Sequence, residues 1–472
     1  MMTKNIRMHR RMTVMGLCAA LIGSIALAGC EYVRPTLNAP LEQWDPQYGY
    51  RFQNLPPPDE GNSNSLFFVV AFSGGGTRAS TLAFGALREL ARQRIVWEGQ
   101  EKRLLDELDV VYALSGGTFT GAYYALFGDR IFKDFEYRFL RKDWESELKA
   151  RIFKSPSNWI RLWSPYYGRV HLMAELLDEA LFDGKTYGDL VQSRKRPGLV
   201  IHASDMATLA RFEFLQTQFD MMCSDMSQLP IAYASAASAA LPLVLSPITL
   251  KNYTGQCGYE PPSWLLQAST SSKLFQRTRA KELLSYLDAK HRPHVHLLDG
   301  GLSDNVALRG VLEGVGVMGG LEAVFKNAGV KQVKKLVILS VNAETSPDVK
   351  QYRSDEIPVF TSTMSSLIDI PINRYSADTL LLTHMAVEMW LKRIRDLPPG
   401  VESALARDAD IYFIDANLGK IDDTAEQEYL MKIPTTLYMT DEQIDRLLVA
   451  ASRLIYGDPE FQRLMKDLQP SP

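Results

Sequence analysis

Three short stretches constrain the fold of this chain more than any other part of its sequence. In each, an apolar run typical of a buried strand ends at one polar residue and continues directly into glycines, at 73–76, 115–117 and 299–301. In an open α/β sheet the carboxyl ends of the strands meet at one edge, so the three stretches are expected to lie together. Strand and helix patterns alternate along the rest of the chain. They predict an α/β fold, a three-layer α/β/α sandwich with a central, mostly parallel sheet.

The stretch around Ser115 has the layout of a nucleophile elbow. Val110 to Leu114 predicts a buried strand and Phe119 to Leu126 predicts a helix, with small residues where the helix would lie against the sheet. A serine at such a turn projects its hydroxyl beyond the sheet edge, beside the N-terminus of the helix. The usual pattern is Gly-x-Ser-x-Gly, and Ala113 replaces its first glycine. Taken alone, this stretch also fits a purely structural strand-to-helix turn.

The glycines at 74–76 are predicted to open a helix and to present bare backbone N–H groups there. The partial positive charge of a helix N-terminus favours an anion at that position. In an acyl-transfer site the anion would be the tetrahedral oxyanion, for which each donor typically lowers the barrier by ~3 kcal/mol. The run lacks the Gly-Lys-Ser/Thr ending of a P-loop and does not fit Gly-x-Gly-x-x-Gly. A nucleotide phosphate is therefore not expected.

In combination, these motifs resemble the patatin-like phospholipases. The resemblance rests on Gly-Gly-Gly-x-Arg at 74–78, Ser-Gly-Gly at 115–117, Asp-Gly-Gly at 299–301 and a block of small residues at 231–242. The best match covers residues 66–310 and fades towards the C-terminus. The resemblance implies a patatin-like fold with a helical cap. It also implies a site composed of Ser115 as nucleophile, Asp299 as its only partner in a Ser–Asp dyad, and Gly74, Gly75, Gly76 and Arg78 as the frame of the oxyanion hole.

A dyad requires a carboxylate that can act as a base, so we expect burial to raise the pKa of Asp299 from its ordinary value near 4. A Ser–Asp–His triad would instead need a histidine after the acid, and His384 is the only candidate in the sequence. Because His384 lies four residues before Glu388 and eight before Lys392, a surface or helix-packing role is favoured. No His, Cys and Asp cluster has the spacing of a metal site, and neither a cofactor nor a nucleic acid partner is expected.

The N-terminus is typical of a bacterial lipoprotein signal peptide, predicted over residues 1–29. A basic segment from Lys4 to Arg11 precedes an apolar one from Thr13 to Ala26, and Leu-Ala-Gly then leads to Cys30. Cys30 would become the acylated N-terminus, and its acyl chains would hold the protein to a membrane. Glu31 after the cysteine favours the periplasmic side of the outer membrane over the inner membrane. An uncleaved N-terminal anchor is the alternative.

The remaining chain divides into a predicted tether at 30–65 and a catalytic domain at 66–472. The domain includes a helical C-terminal extension from about residue 345. Aromatic and basic residues alternate between 129 and 189, which fits either a helical cap packed on the core or a segment at a lipid interface. The packed cap is favoured. Cys223 and Cys257 could form a disulfide in an oxidising envelope or remain free thiols.

These features predict a membrane-anchored serine acyl hydrolase of the phospholipase A or lysophospholipase type. It would cleave fatty-acyl esters of lipids or phospholipids through an acyl-enzyme intermediate. Two alternatives remain open from the sequence. One is an acyltransferase that uses the same site, and the other is a non-catalytic lipoprotein scaffold on the same fold.

Overall fold

A computed structural model of the chain describes residues 32–54, 62–193, 195–346, 355–398 and 403–469. Cys30 and the predicted signal peptide lie outside these ranges. The strands in chain order are β1 (Ala39–Pro40), β2 (Leu66–Phe72), β3 (Arg94–Trp97), β4 (Gln100–Arg103), β5 (Leu108–Leu114), β6 (Gly198–Asp205), β7 (Arg211–Glu213), β8 (Ser224–Asp225), β9 (Ile248–Lys251), β10 (His294–Leu298), β11 (Val333–Asn342) and β12 (Leu405–Asn417).

The α-helices are numbered in the same way. They are α1 (Gly76–Arg92), α2 (Gly116–Phe127), α3 (Trp144–Phe153), α4 (Pro156–Leu162), α5 (Arg169–Leu177), α6 (Tyr187–Ser193), α7 (Gln216–Asp220), α8 (Ile231–Ser238), α9 (Ser263–Ser269), α10 (Leu274–Leu284), α11 (Arg309–Met318), α12 (Leu321–Asn327), α13 (Phe360–Arg395), α14 (Thr424–Met431), α15 (Asp441–Gly457) and α16 (Pro459–Asp467). Two π-helical segments, Ile131–Leu140 and Asp178–Phe182, complete the cap region.

The central sheet has eight strands and confirms the predicted α/β fold. Its order is β12-β11-β2-β5-β6-β10-β9, and β7 pairs with residues 202–204 of β6. The five strands from β12 to β6 are parallel to one another, whereas β7, β9 and β10 are antiparallel to their neighbours. All residues of β2, β5 and β6 are buried, which agrees with their nearly continuous apolar sequences.

Helices cover both faces of this sheet. A Cβ at Gly121 in α2 would contact Ala113, and one at Gly310 in α11 would contact Tyr112. Because neighbouring side chains of a strand point to opposite faces, α2 and α11 lie on opposite sides of β5. The sheet with its two helical layers therefore forms the three-layer sandwich that the sequence predicts.

Strand β10 reaches the site by a route that the sequence did not predict. It runs antiparallel to β6, with Leu297 opposite Asp205 and Leu298 opposite Ser204. The chain thus enters from beyond the carboxyl edge of the parallel strands and ends level with the last residues of β6. The predicted sheet is mostly parallel, and the direction of the strand before Asp299 was not predicted, but its position at this edge is as expected.

Residues 32–54 of the predicted tether pack against the domain instead of extending away from it. Strand β1 pairs with β8, and Asn38 donates a hydrogen bond to Ser224 at 2.8 Å. Arg51 forms a buried ion pair with Asp220 at 3.0 Å. A disulfide joins Cys223 to Cys257, with their Cα atoms 5.4 Å apart, and thereby settles the question that the sequence left open. Among the described helices, none is both long and apolar enough to span a membrane.

Candidate active site

The turn at Ser115 is strained, and hydrogen bonds hold both its N–H and its carbonyl group. Ser115 has φ of 46° and ψ of −126°, a region that non-glycine residues rarely adopt. Its N–H donates to the hydroxyl of Ser238 in α8 at 2.7 Å. Its carbonyl accepts a hydrogen bond from the hydroxyl of Thr118 at 2.6 Å. These contacts fix the backbone of the serine in the conformation that an elbow requires.

The first turn of α2 lies directly against the glycine loop at 73–76. A Cβ at Gly116 would stand 2.1 Å from the carbonyl oxygen of Gly76, and one at Gly117 would stand 2.7 Å from that of Phe72. Neither position can accept a side chain without backbone displacement. Ala113 is accommodated because Gly121, which faces it, has no side chain. The elbow therefore tolerates alanine in place of the usual first glycine.

The side chains of Ser115 and Asp299 meet at this edge of the sheet. The serine hydroxyl donates to Oδ2 of Asp299 at 2.9 Å. The other carboxylate oxygen accepts the N–H of Gly301 at 2.8 Å, and the Asp299 N–H donates to the carbonyl of Ala240 at 3.0 Å. Both side chains are almost fully buried. In the described part of the chain, no histidine is hydrogen-bonded to either residue.

Burial controls the electrostatics of Asp299. Desolvation raises the pKa of its carboxyl to about 6, although the hydrogen bonds from Gly301 and Ser115 act in the opposite direction. No ion pair with Asp299 is present among the described residues. A carboxylate in this environment is a stronger base than a solvated one and is still largely ionised at neutral pH.

The three glycines of the loop have different environments. The Gly74 N–H donates to the carbonyl of Asn305 at 3.1 Å and is therefore occupied. Gly75 and Gly76, with φ of 135° and 59°, form the turn into α1. Within the described chain no acceptor is bonded to the N–H groups of these two glycines. They are the groups in this loop that could donate to an anion.

The guanidinium of Arg78 lies next to Gly75 of the glycine loop, where a Cβ would stand 2.9 Å from Nη2. The side chain is buried, its Nε and Nη2 donate to the carbonyl of Ala343 at 3.2 and 2.9 Å, and its Nη1 donates to the carbonyl of Ile433. Burial without a carboxylate partner lowers the pKa of this guanidinium to about 10. Arg78 thus connects the start of α1 to the end of β11 and to the C-terminal region.

Two further residues at the site were not singled out from the sequence. Ser238 accepts the Ser115 N–H, and Asn305 accepts the Gly74 N–H through its backbone. The amide oxygen of Asn305 also faces both Gly74 and Gly301. Both residues lie within or beside stretches that the sequence marks, the small-residue block and the Asp-Gly-Gly loop, but their contacts depend on the folded arrangement.

Neither His384 nor His296 is hydrogen-bonded to the dyad within the described chain. His384 is exposed on α13 and packs edge-on against Phe413, with the ring centres 4.7 Å apart. His296 shares a hydrogen bond with Thr249 at 2.9 Å. In the described ranges, no three His, Cys, Asp or Glu side chains are arranged to hold a metal ion.

The family model of the patatin-like phospholipases matches residues 70–312, which is more than half of the chain. The chain belongs to this family. The matched segment contains the glycine loop, Ser115 and Asp299. No curated protein matches the chain in sequence.

Solved structures to which the chain is similar include two of human GIVD cytosolic phospholipase A2. One has 14% identity and a TM-score of 0.41, and covers 86% of this chain and 62% of the human one. The other, in complex with methyl gamma-linolenyl fluorophosphonate, has 12% identity and a TM-score of 0.39, and covers 86% and 59%. VipD from Legionella pneumophila has 12% identity and a TM-score of 0.26, and covers 90% and 72%. The chain thus spans about three fifths of the length of the human enzyme.

Proposed function

We propose that the protein is a lipid acyl hydrolase in which Ser115 and Asp299 form the catalytic dyad. The observation that carries the proposal is the buried 2.9 Å hydrogen bond from the serine hydroxyl to a carboxylate whose pKa is raised to about 6. Family membership supports the same chemistry, since patatin-like phospholipases act on lipid esters. The raised pKa brings the carboxylate closer to the basicity that an enzymatic proton acceptor needs near neutral pH.

In this mechanism the carboxylate of Asp299 takes the proton from the Ser115 hydroxyl while the serine oxygen attacks the ester carbonyl carbon. The carbonyl π bond opens and its oxygen becomes the oxyanion. We assign the N–H groups of Gly75 and Gly76 as its donors, because no other acceptor occupies them in the described chain. Gly74 and Arg78 hold the loop in place.

Collapse of the tetrahedral intermediate breaks the ester C–O bond, and protonated Asp299 returns its proton to the leaving alcohol oxygen. An acyl ester on Ser115 remains. A water molecule then attacks this ester with Asp299 again as the base, and the fatty acid leaves as Ser115 recovers its proton. An acceptor alcohol in place of water would give the acyltransferase alternative with the same residues.

We further propose that Cys30 carries the lipid anchor and that the enzyme works at the periplasmic face of an outer membrane. The Leu-Ala-Gly-Cys sequence and the basic and apolar segments before it support this assignment. The phospholipase A or lysophospholipase subtype belongs to the same proposal.

The test is mass spectrometry of the products formed from mixed phospholipids, with the Ser115→Ala variant as control. Free fatty acid with the matching lysolipid, absent from the control, is the expected result. Transfer of the acyl group to another lipid without free fatty acid would favour the acyltransferase. A complete lack of acyl release or transfer, with a correctly folded protein, would favour a scaffold.

A further inference from the structure

The segment from the end of α3 to the residue after α4 carries an unusually exposed group of large apolar side chains. We call Phe153, Trp159, Ile160 and Trp163 the aromatic face. Their exposed fractions are 69%, 53%, 69% and 87%, respectively. Scattered single apolar residues are common on protein surfaces, but four large ones within eleven residues indicate a contact site. Trp159 is fixed by a 2.9 Å hydrogen bond from its indole N–H to the carbonyl of Ile152.

The segment that carries the aromatic face is rich in Lys and Arg, of which Lys149, Arg151 and Arg161 pair with Glu145, Glu179 and Glu175, respectively. Between Glu147 and Glu175 the sequence contains five Lys or Arg residues and no acidic residue. Two of these cations, Lys154 and Arg169, are exposed and have no carboxylate partner among the described residues. Apolar aromatic side chains with basic residues beside them are the combination that binds at an anionic lipid surface.

The N-terminal segment begins beside this face. The Ser164 hydroxyl donates to the carbonyl of Val33 at 2.6 Å, and the guanidinium of Arg34 lies 4.6 Å from the ring centre of Tyr166. Cys30 precedes Val33 by three residues, and three extended residues span at most ~11 Å. No more than this length of chain separates the proposed anchor residue from the contact between Val33 and Ser164, the residue next to Trp163.

The same surface continues towards the candidate active site. Nη2 of Arg169 donates to the carbonyl of Leu243 at 2.9 Å. Leu243 and Val244 are 66% and 55% exposed, and they lie in the loop that follows α8, whose last residue accepts the Ser115 N–H. The loop next to the dyad thus presents two apolar side chains beside Arg169.

From these observations we infer that the aromatic face, with Leu243 and Val244, inserts into the lipid layer that holds the Cys30 anchor. The bound partner is an anionic phospholipid surface. This orientation would keep the loop beside Ser115 at the lipid, so that a substrate need not leave the membrane completely. The inference rests on the proposed function and extends it by assigning the surface that contacts the membrane.

Depth-dependent quenching tests the inference without catalysis. The full-length protein with Ser115→Ala is reconstituted into vesicles of phosphatidylcholine and phosphatidylglycerol, in which part of the phosphatidylcholine is brominated near the ester end of its acyl chains. We expect bromine to quench tryptophan fluorescence, and the Trp163→Phe substitution to remove a large share of the quenching. A matched Trp264→Phe substitution, at a position 37% exposed on α9, should leave the quenching unchanged.

A kinetic comparison provides the second readout. In the enzyme with an intact Ser115, Trp163→Asp should slow hydrolysis of vesicle lipid about tenfold, because the anchored protein loses the apolar contact that keeps the loop beside Ser115 at the lipid surface. Its rate on a water-soluble short-chain ester should stay near that of the unmodified enzyme. Tyr456→Asp, a similar substitution of a residue 59% exposed on α15, should change neither rate.

The outcomes separate this inference from the function on which it rests. Protein that sediments with the vesicles but has no bromine quenching that depends on Trp163 overturns the docking surface and leaves the hydrolase intact. Protein that fails to sediment with the vesicles also overturns it. Quenching as expected, together with a wild-type chain that hydrolyses no ester, would support the docking surface and refute the hydrolase.

Discussion

Substitution of Ser238 by alanine tests whether α8 holds the strained elbow. The change removes the hydroxyl that accepts the Ser115 N–H at 2.7 Å, in a region closed to solvent. A buried donor left without its partner costs ~1–3 kcal/mol. The backbone of Ser115, with φ of 46°, carries strain of similar size, ~1–3 kcal/mol. Without the hydrogen bond from its N–H, this strained conformation is held less firmly. We expect the free energy of unfolding to fall by ~1–2 kcal/mol and kcat to fall about tenfold, which corresponds to ~1.4 kcal/mol.

Ser235 provides a matched control one turn earlier on the same helix. It is also completely buried, but its hydroxyl has no hydrogen-bond partner in the described chain. Ser235→Ala should therefore leave the free energy of unfolding unchanged or slightly higher, and kcat unchanged. The assay combines denaturant titration with turnover of a soluble ester, normalised to active sites. Equal behaviour of the two variants would refute a specific role for Ser238.

Three other substitutions and one pH profile test separate parts of the account. Asp299→Asn should abolish turnover and raise the free energy of unfolding at pH 8 by up to ~3 kcal/mol. The reason is that the pKa of Asp299 is about 6 in the folded protein and 3.8 in the unfolded chain, so the stability due to this group falls as pH rises between these values. A lower free energy of unfolding for the variant at pH 8 would contradict this. In the unmodified enzyme, kcat/KM should fall about tenfold per pH unit below pH ~6, and a flat profile down to pH 5 would exclude this base. Arg78→Met should lower the free energy of unfolding by ~3 kcal/mol or more, because it leaves the carbonyls of Ala343 and Ile433 without their donor. The folded fraction should keep its turnover within a few-fold. A large loss of kcat per active site would place the guanidinium in the oxyanion hole. Cys30→Ser should release the protein from membranes, and retention would favour an uncleaved anchor.

The strongest part of the sequence interpretation was the convergence of three strand ends. Buried strands have a clear apolar signal, and the polar residue and glycines after each one depend only on local chain geometry. Ser115 and Asp299 are 184 positions apart in the chain, yet both could be assigned to one sheet edge from these local patterns. The direction of β10 could not be assigned, because the side-chain pattern of a single strand is the same whether its neighbours run parallel or antiparallel.

The features that the sequence does not reveal share a physical cause, since each depends on contacts between residues distant in sequence. Residues 32–54 have the composition of a linker, and only their pairing with β8 and the Arg51–Asp220 ion pair show that they pack on the domain. The arginine of the Gly-Gly-Gly-x-Arg motif could equally have faced an oxyanion. Its buried carbonyl partners belong to segments more than 260 positions away, which no local pattern identifies.

The central claim is that Ser115 is a nucleophile activated by Asp299, and labelling with a fluorophosphonate tests it most directly. Intact-protein mass and peptide mapping would identify the labelled residue, and stopped reactions would give the rate of labelling. We predict one adduct per chain, on Ser115, and labelling slowed ~10²–10⁴-fold in Asp299→Asn, the range expected for loss of a catalytic base. An adduct on a different residue, or an unchanged labelling rate in Asp299→Asn, would contradict the account.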